Sequence, residues 1–200
     1  MGEIAAYLIQ MAFPALVGAL LWAATQPWRH SRMARKGRRP GPYRERALLL
    51  YFMFLSGLFA LTLTPAGFWG AVLAGKRFRL PLPFQGGINL LPLRRSVQLL
   101  RYYVRNGLWT AVWINFPGNI IMFMPVGFFA GLLSDKPRWW KGTLLTAGVS
   151  LFIEIFQLFI SRGTDVDDLI LNILGGFLGH VVFRAFQGLF ADVVTKCKPM

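Results

Sequence analysis

The sequence predicts an all-α membrane protein, a bundle of five transmembrane helices with an interfacial amphipathic helix in a long outer loop. Three observations predict it. The 200 residues are 55% hydrophobic and 15% charged, with 18 Phe and seven Trp, more apolar surface than a water-facing globule of this size carries. The apolar residues gather into five runs, each near the length needed to cross about 30 Å of hydrocarbon. The basic residues, which bring the formal net charge to +14, cluster between those runs. In a soluble chain that charge would point to nucleic acid. Here anionic lipid and control of topology account for it, and no nucleic-acid partner is expected.

The first run extends from about Ile4 to Thr25 and is interrupted only by Gln10 and Pro14. Its positive charge follows the apolar stretch, the reverse of a secretory signal. The second run is Ala47 to Pro65, and the third is Trp113 to Leu133 with Asn115, Asn119 and Pro125 inside it. The fourth is Thr143 to Ser161, carrying Glu154 and Gln157; the fifth is Leu169 to Phe190, carrying Asn172, His180 and Arg184.

Residues 28–46 hold eight Lys/Arg, the 134–142 turn holds three, and Arg184, Lys196 and Lys198 follow the last run. With five spans these segments share one face, which the positive-inside rule makes cytoplasmic. The N-terminus, the 66–112 connection and the 162–168 turn are then outside, and the C-terminus is cytoplasmic. The 66–112 connection holds seven basic residues, against the rule, but long connections translocate with little regard to charge. Within it Arg94, Gln98, Arg101 and Arg105 follow helical spacing opposite Val97, Leu100 and Val104, which predicts the helix lying flat at the outer interface. The preceding Leu80-Pro-Leu-Pro-Phe-Gln-Gly-Gly87 reads as irregular. Cys197 is the one cysteine and has no internal disulfide partner.

Four of the eight acidic residues fall between Glu154 and Asp168, with strongly apolar sequence on both sides. A carboxylate inside an apolar helix is costly, so it faces protein or a wet cavity and marks a candidate functional site. Ser150, Glu154, Gln157 and Ser161 occupy a stripe of roughly 60° on the fourth span. Asp165, Asp168, Asn172, Gly175 and Gly179 share a face of the fifth, where the Gly-xxx-Gly spacing lets a neighbouring helix approach closely. Asn115 and Asn119 lie one turn apart on the third. The orientation above puts most of these groups in the outer halves of their spans, converging on one outward pocket. Thr164 or Asp165 can cap the fifth helix, and Asp167 is the aspartate that capping explains best. Arg162 is the nearby cation in sequence, a partner for one of the carboxylates. No zinc motif, nucleophile elbow or phosphate loop is present; the aspartate run offers oxygens of the kind Mg²⁺ or Ca²⁺ takes, but its spacing is a weak signal, and neither metal nor cofactor is expected. His180 reads as a packing residue.

Read in order, Asn89-Leu-Leu-Pro92-Leu93, Gly118-Asn119 through Pro125-Val-Gly127, Glu154-Ile-Phe-Gln157 and Arg162-Gly-Thr-Asp165-Val-Asp167-Asp168 through Asn172 to Gly175-Gly176 resemble the VanZ-like membrane proteins over roughly residues 47 to 185. The resemblance divides the chain into an added transmembrane helix with a basic cytoplasmic loop (1–46), a VanZ-like transmembrane domain (47–190) and a cytoplasmic tail (191–200). It implies a multi-pass protein of the bacterial cytoplasmic membrane, in a family whose namesake lowers sensitivity to the glycopeptide teicoplanin. Pro92-Leu93 stands where the family tends to have Pro-Phe.

Three classes of function fit these residues. The first is a non-enzymatic envelope protein that binds membrane lipid, a lipid-linked cell-wall component or a lipoglycopeptide through Gln157, Arg162, Asp165, Asn172, Asn119 and Asn89. The second is an intramembrane enzyme acting on an envelope lipid, with Glu154 and Asp168 as catalytic groups and Glu154 as acid or base. The third, a proton-coupled transporter, is disfavoured by the small number of spans and the absence of an internal repeat.

Overall fold

The computed structural model describes residues 3–65, 68, 71, 75–79, 82–84, 86–160 and 162–199, with side chains from Phe13 onward. Ser161, placed above in the fourth-span stripe, lies outside the described residues, as do Leu80, Pro81 and Gln85 of the irregular stretch. In chain order the elements are α1 (Glu3–Ala34), α2 (Pro42–Leu63), β1 (Ile88–Asn89), α3 (Arg94–Arg105), α4 (Trp109–Asn115), α5 (Pro117–Leu133), α6 (Trp139–Phe159), β2 (Thr164–Asp165), α7 (Val166–Leu189) and α8 (Ala191–Lys196).

Among the described residues four helical stretches are long and apolar enough to cross a membrane: α2, α4 continued into α5, α6 and α7. The chain is therefore a multi-pass membrane protein. Consecutive spans run in opposite directions, so the bundle has two ends. The turns at 34–42 and 134–138 meet the C-terminal segment at a basic end, and β1, α3 and β2 gather at a polar end. The expected third span begins earlier than its apolar run suggests. It starts at Trp109 and is interrupted at Phe116, where Pro117 opens α5.

Helix α1 continues past Thr25 to Ala34, through Pro14 and Pro27. Thr25 Oγ1 donates to Leu21 O (2.7 Å) and Arg29 Nη1 to Trp22 O (2.9 Å), so side-chain donors add to the main-chain bonds in the turn before Pro27. α1 packs along α2, with Gly18 against the main chain of Phe52 and Met53. Arg29 pairs with Glu45 at 2.8 Å, and Trp22 Nε1 donates to the same carboxylate at 3.1 Å.

The centre of the bundle is the contact between α5 and α7. Gly175 lies against Ile120 O, Gly179 against Met124 O, and Gly127 against Gly176 O. This is the close backbone approach that the Gly-xxx-Gly spacing predicts, and it matters in a bilayer because apolar burial does little to drive helices together there. Leu58, Phe123, Val126 and Ile153 fill the space between α2, α5 and α6, while Leu132, Phe183, Val194 and Cys197 form a second cluster toward the basic end. There Arg44 Nη1 donates to Leu133 O (2.9 Å) and Cys197 O (3.2 Å), and Lys198 Nζ donates to Leu132 O (3.2 Å) and to Ser134 O. Two cations thus cap the C-terminus of α5, where free carbonyls and the helix dipole favour them. Burial pushes the Cys197 thiol above its ordinary pKa and lowers that of the Lys198 ammonium.

Two outcomes test this packing. Gly179→Leu has no room against Met124 O, so thermal unfolding in detergent should show a loss of about 1–3 kcal/mol or more, whereas Gly188→Ala, with open space around it, should be silent. Cys197 is 3% exposed, so it should react with maleimide slowly in the folded protein, and Arg44→Ala, which releases the Cys197 carbonyl, should speed that labelling.

Candidate functional site

The polar end is built where α6 gives way to α7. Ile160 and residues 162–165 are not helical, so their main-chain groups need other partners. Several find them in distant segments. Thr164 N donates to Gly87 O (3.0 Å), and β2 pairs in parallel with β1, Ile88 against Thr164 and Asn89 against Asp165. Asp165 N donates to Glu154 Oε2 at 3.0 Å, and Thr164 Oγ1 donates to Glu154 O at 2.9 Å. Glu154 is 4% exposed and sits one turn before the end of α6, which places its carboxylate under the corner it stabilises.

Asp165 is the hub. Its Oδ1 accepts from Asp167 N (2.9 Å), the N-cap bond of α7, and from Asn89 Nδ2 (2.8 Å) across the β-pair. Its Oδ2 lies 3.6 Å from Arg95 Nε of α3. The expected cap of α7 is therefore Asp165. Asp167 performs the same chemistry for a different helix: its Oδ1 accepts from Leu93 N (2.5 Å) and its Oδ2 from Ser96 N (3.0 Å). Leu93 is the N-cap residue of α3 and has no side-chain acceptor of its own. Asp167, 2% exposed, supplies that acceptor from α7 and places negative charge at the positive end of the α3 dipole. Leu93 takes a left-handed conformation, φ 64°, which costs a non-glycine residue about 1–2 kcal/mol and which the two bonds to Asp167 hold in place.

Asp168 faces another neighbour. Its Oδ1 accepts from Asn119 Nδ2 (2.9 Å), and the same amide also reaches Asn115 O (3.1 Å). Asp168 and Asn119 are half-buried, as is Asn89, so they are among the parts of the cluster open to an approaching group. Asn172 is deeper, 4% exposed, and donates to Ser150 Oγ at 2.9 Å. Gln157 and Arg162 turn to the α2 side, where Gln157 Nε2 donates to Thr62 O (3.2 Å) and Arg162 Nη1 to Leu61 O (3.1 Å) and Thr62 O (2.8 Å). These donors satisfy the last carbonyls of α2. Among the described residues no three His, Cys, Asp or Glu side chains stand close enough to share a metal ion. His180, 5% exposed at mid-helix, packs its ring against Phe183.

The structure thus brings Asn89, Glu154, Asp165, Asp167 and, beside them, Asn119 with Asp168 to one end. It places Gln157 and Arg162 on the flank of that cluster and Asn172 below it. Arg95 and the main chain of Leu93 and Ser96 belong to the site without any signal in local spacing: Arg95 lies off the arginine stripe of α3, and Asn89 is 76 residues from Asp165. Removing the clamp should expose the dependence of α3 upon it. Asp167→Ala leaves two main-chain donors without acceptors, a cost of about 1–3 kcal/mol, and hydrogen exchange over residues 93–100 should accelerate while that of α5 stays unchanged.

Residues 47–187 match the family model described as VanZ/LLP1. No curated protein and no solved structure matches the chain. The matched stretch covers most of the sequence and contains every residue of the polar cluster from Asn89 to Asn172. The chain belongs to the VanZ/LLP1 family.

Proposed function

We propose that this protein resides in the bacterial cytoplasmic membrane with α1 as a fifth span and the polar end outside, and that it binds a lipid-linked cell-wall component or a lipoglycopeptide there. The observation that carries the reading is the division of labour within the acidic cluster. Glu154, Asp165 and Asp167 each accept main-chain N–H groups that would otherwise be orphaned. Asp168 bonds a side-chain amide instead and remains half-buried beside Arg95, which is exposed. A mixed acidic, amide and guanidinium surface suits a polar headgroup carrying both donors and anionic oxygens.

Helix α3 fits the same reading. Ser96, Leu99 and Tyr103 turn toward the protein, leaving Val97, Leu100 and Val104 exposed beside the stripe of Arg94, Arg101 and Arg105. An apolar strip flanked by arginines suits a helix lying at the outer interface, its apolar strip in lipid and its arginines at phosphate level. Binding at this end would withhold the target or the drug from its partner, and so lower teicoplanin sensitivity. Burial of Glu154 and its bond to Asp165 N favour this reading over an acid–base role for that carboxyl.

Variants separate the two. In cells producing equal amounts of folded protein, Asp168→Ala and Asn119→Ala should raise teicoplanin sensitivity toward that of cells lacking the protein. Glu154→Gln should retain function, because an amide oxygen still accepts the Asp165 N–H. A folded Glu154→Gln variant with no activity, beside an unaffected Asp168→Ala, would sink the binding reading in favour of proton chemistry.

A further inference from the structure

On the face where α2 and α6 diverge lies a groove of about 370 Å³ lined by Phe59, Leu144, Leu145, Gly148, Val149 and Phe152. Its floor is open because residue 148 has no side chain: a Cβ there would meet nothing within 4 Å. Leu144 and Phe152 remain largely exposed, so the groove opens to the hydrocarbon around the bundle. A line of aromatic rings leads out of it toward the polar end. Phe59 meets Phe152 (5.7 Å between centroids), Phe152 meets Phe156 (4.4 Å), Phe156 meets Phe159 (6.2 Å) and Phe159 meets Phe84 (5.1 Å). Phe84 N also donates to Leu158 O at 2.8 Å, which seats this residue of the 66–112 connection on the end of the track. That connection carries seven basic residues and no acidic one.

We propose that the groove and its phenylalanine track hold the tail of a long-chain isoprenoid phosphate, with the phosphate at the basic connection; this rests on the lipid-binding reading above and names the ligand class. Length selects the tail. From Phe159 down to Leu144 is fifteen residues of helix, roughly 22 Å, whereas one leaflet of hydrocarbon is about 15 Å deep. A chain entering from the polar end must therefore pass the bilayer midplane to fill the groove, which a long isoprenoid does and an ordinary lipid of the leaflet at that end does not. Charge selects the phosphate over a helix of a second copy, since a second copy would bring its own seven cations against the first.

The test uses the full-length protein in phosphatidylcholine nanodiscs and two photoreactive probes with a diazirine at the tail tip, a polyprenyl phosphate and farnesyl phosphate. The long probe should label residues between Leu144 and Phe152, and the short one only the level of Phe156 and Phe159. Gly148→Phe, at a position where a Cβ meets nothing within 4 Å, puts a ring into the groove and should cut long-probe labelling there by about tenfold or more, while labelling at the polar end persists. Equal labelling of Gly148→Phe, an equal reach of both probes, or a change in oligomeric mass in place of lost labelling would each overturn the proposal. Labels at the polar end without any in the groove would refute the tail site alone; absence of labelling by both probes would remove the lipid-binding reading with it.

Discussion

The corner between α6 and α7 has to satisfy main-chain hydrogen bonds at the edge of the hydrocarbon, and most of the polar end follows from that requirement. Non-helical backbone at such a depth is tolerated only when protein supplies its partners. Glu154 provides an acceptor from below, Gly87 from the side, and Asp165 turns its own side chain back to start α7. Because Gly87 and Asn89 come from the 66–112 connection, closing this corner also brings that part of it down onto the bundle. The position of α3 is then a consequence of the same bonds, completed by Asp167 at its N-terminus.

Grouping four carboxyl groups this closely costs electrostatic energy unless donors surround them. The donors here are mostly main-chain N–H groups, with Asn89, Asn119 and Arg95 adding side-chain partners. Such bonds are fixed in direction and need no long side chain to be ordered, so they compensate burial more effectively than exposed ion pairs do. The arrangement leaves Asp168 as the carboxyl that bonds a side-chain amide without a main-chain donor, which is why the proposed binding reading rests on it.

At the opposite end the same problem has the opposite solution. Carbonyls at the end of α5 are left without helical donors, and Arg44 and Lys198 supply them. The two ends thus carry complementary chemistry, carboxylates meeting N–H groups at one and cations meeting carbonyls at the other. Between them the close approach of α5 to α7 depends on glycine, because any side chain at 175 or 179 would push the carbonyls of Ile120 and Met124 away.

By itself the sequence determined what is local: apolar runs long enough to span, the helical stripe of α3, glycine spacing on α7, and the concentration of acid and amide groups near residues 150–172. These are set by periodicity and hydropathy, which a linear reading captures. Helix limits at Ala34 and Trp109 escaped it: α1 runs on through Pro27 into the basic segment, and the third span opens at Trp109, ahead of its apolar run. Only the tertiary structure decided which acid serves which helix. Asp167 has the spacing of a cap for α7 and instead caps α3, because the donors it meets, Leu93 N and Ser96 N, lie more than seventy residues away along the chain. Arg95 and Asn89 join the cluster for the same reason: parallel pairing of β1 with β2 sets their register, and pairing between distant segments leaves no mark in local spacing.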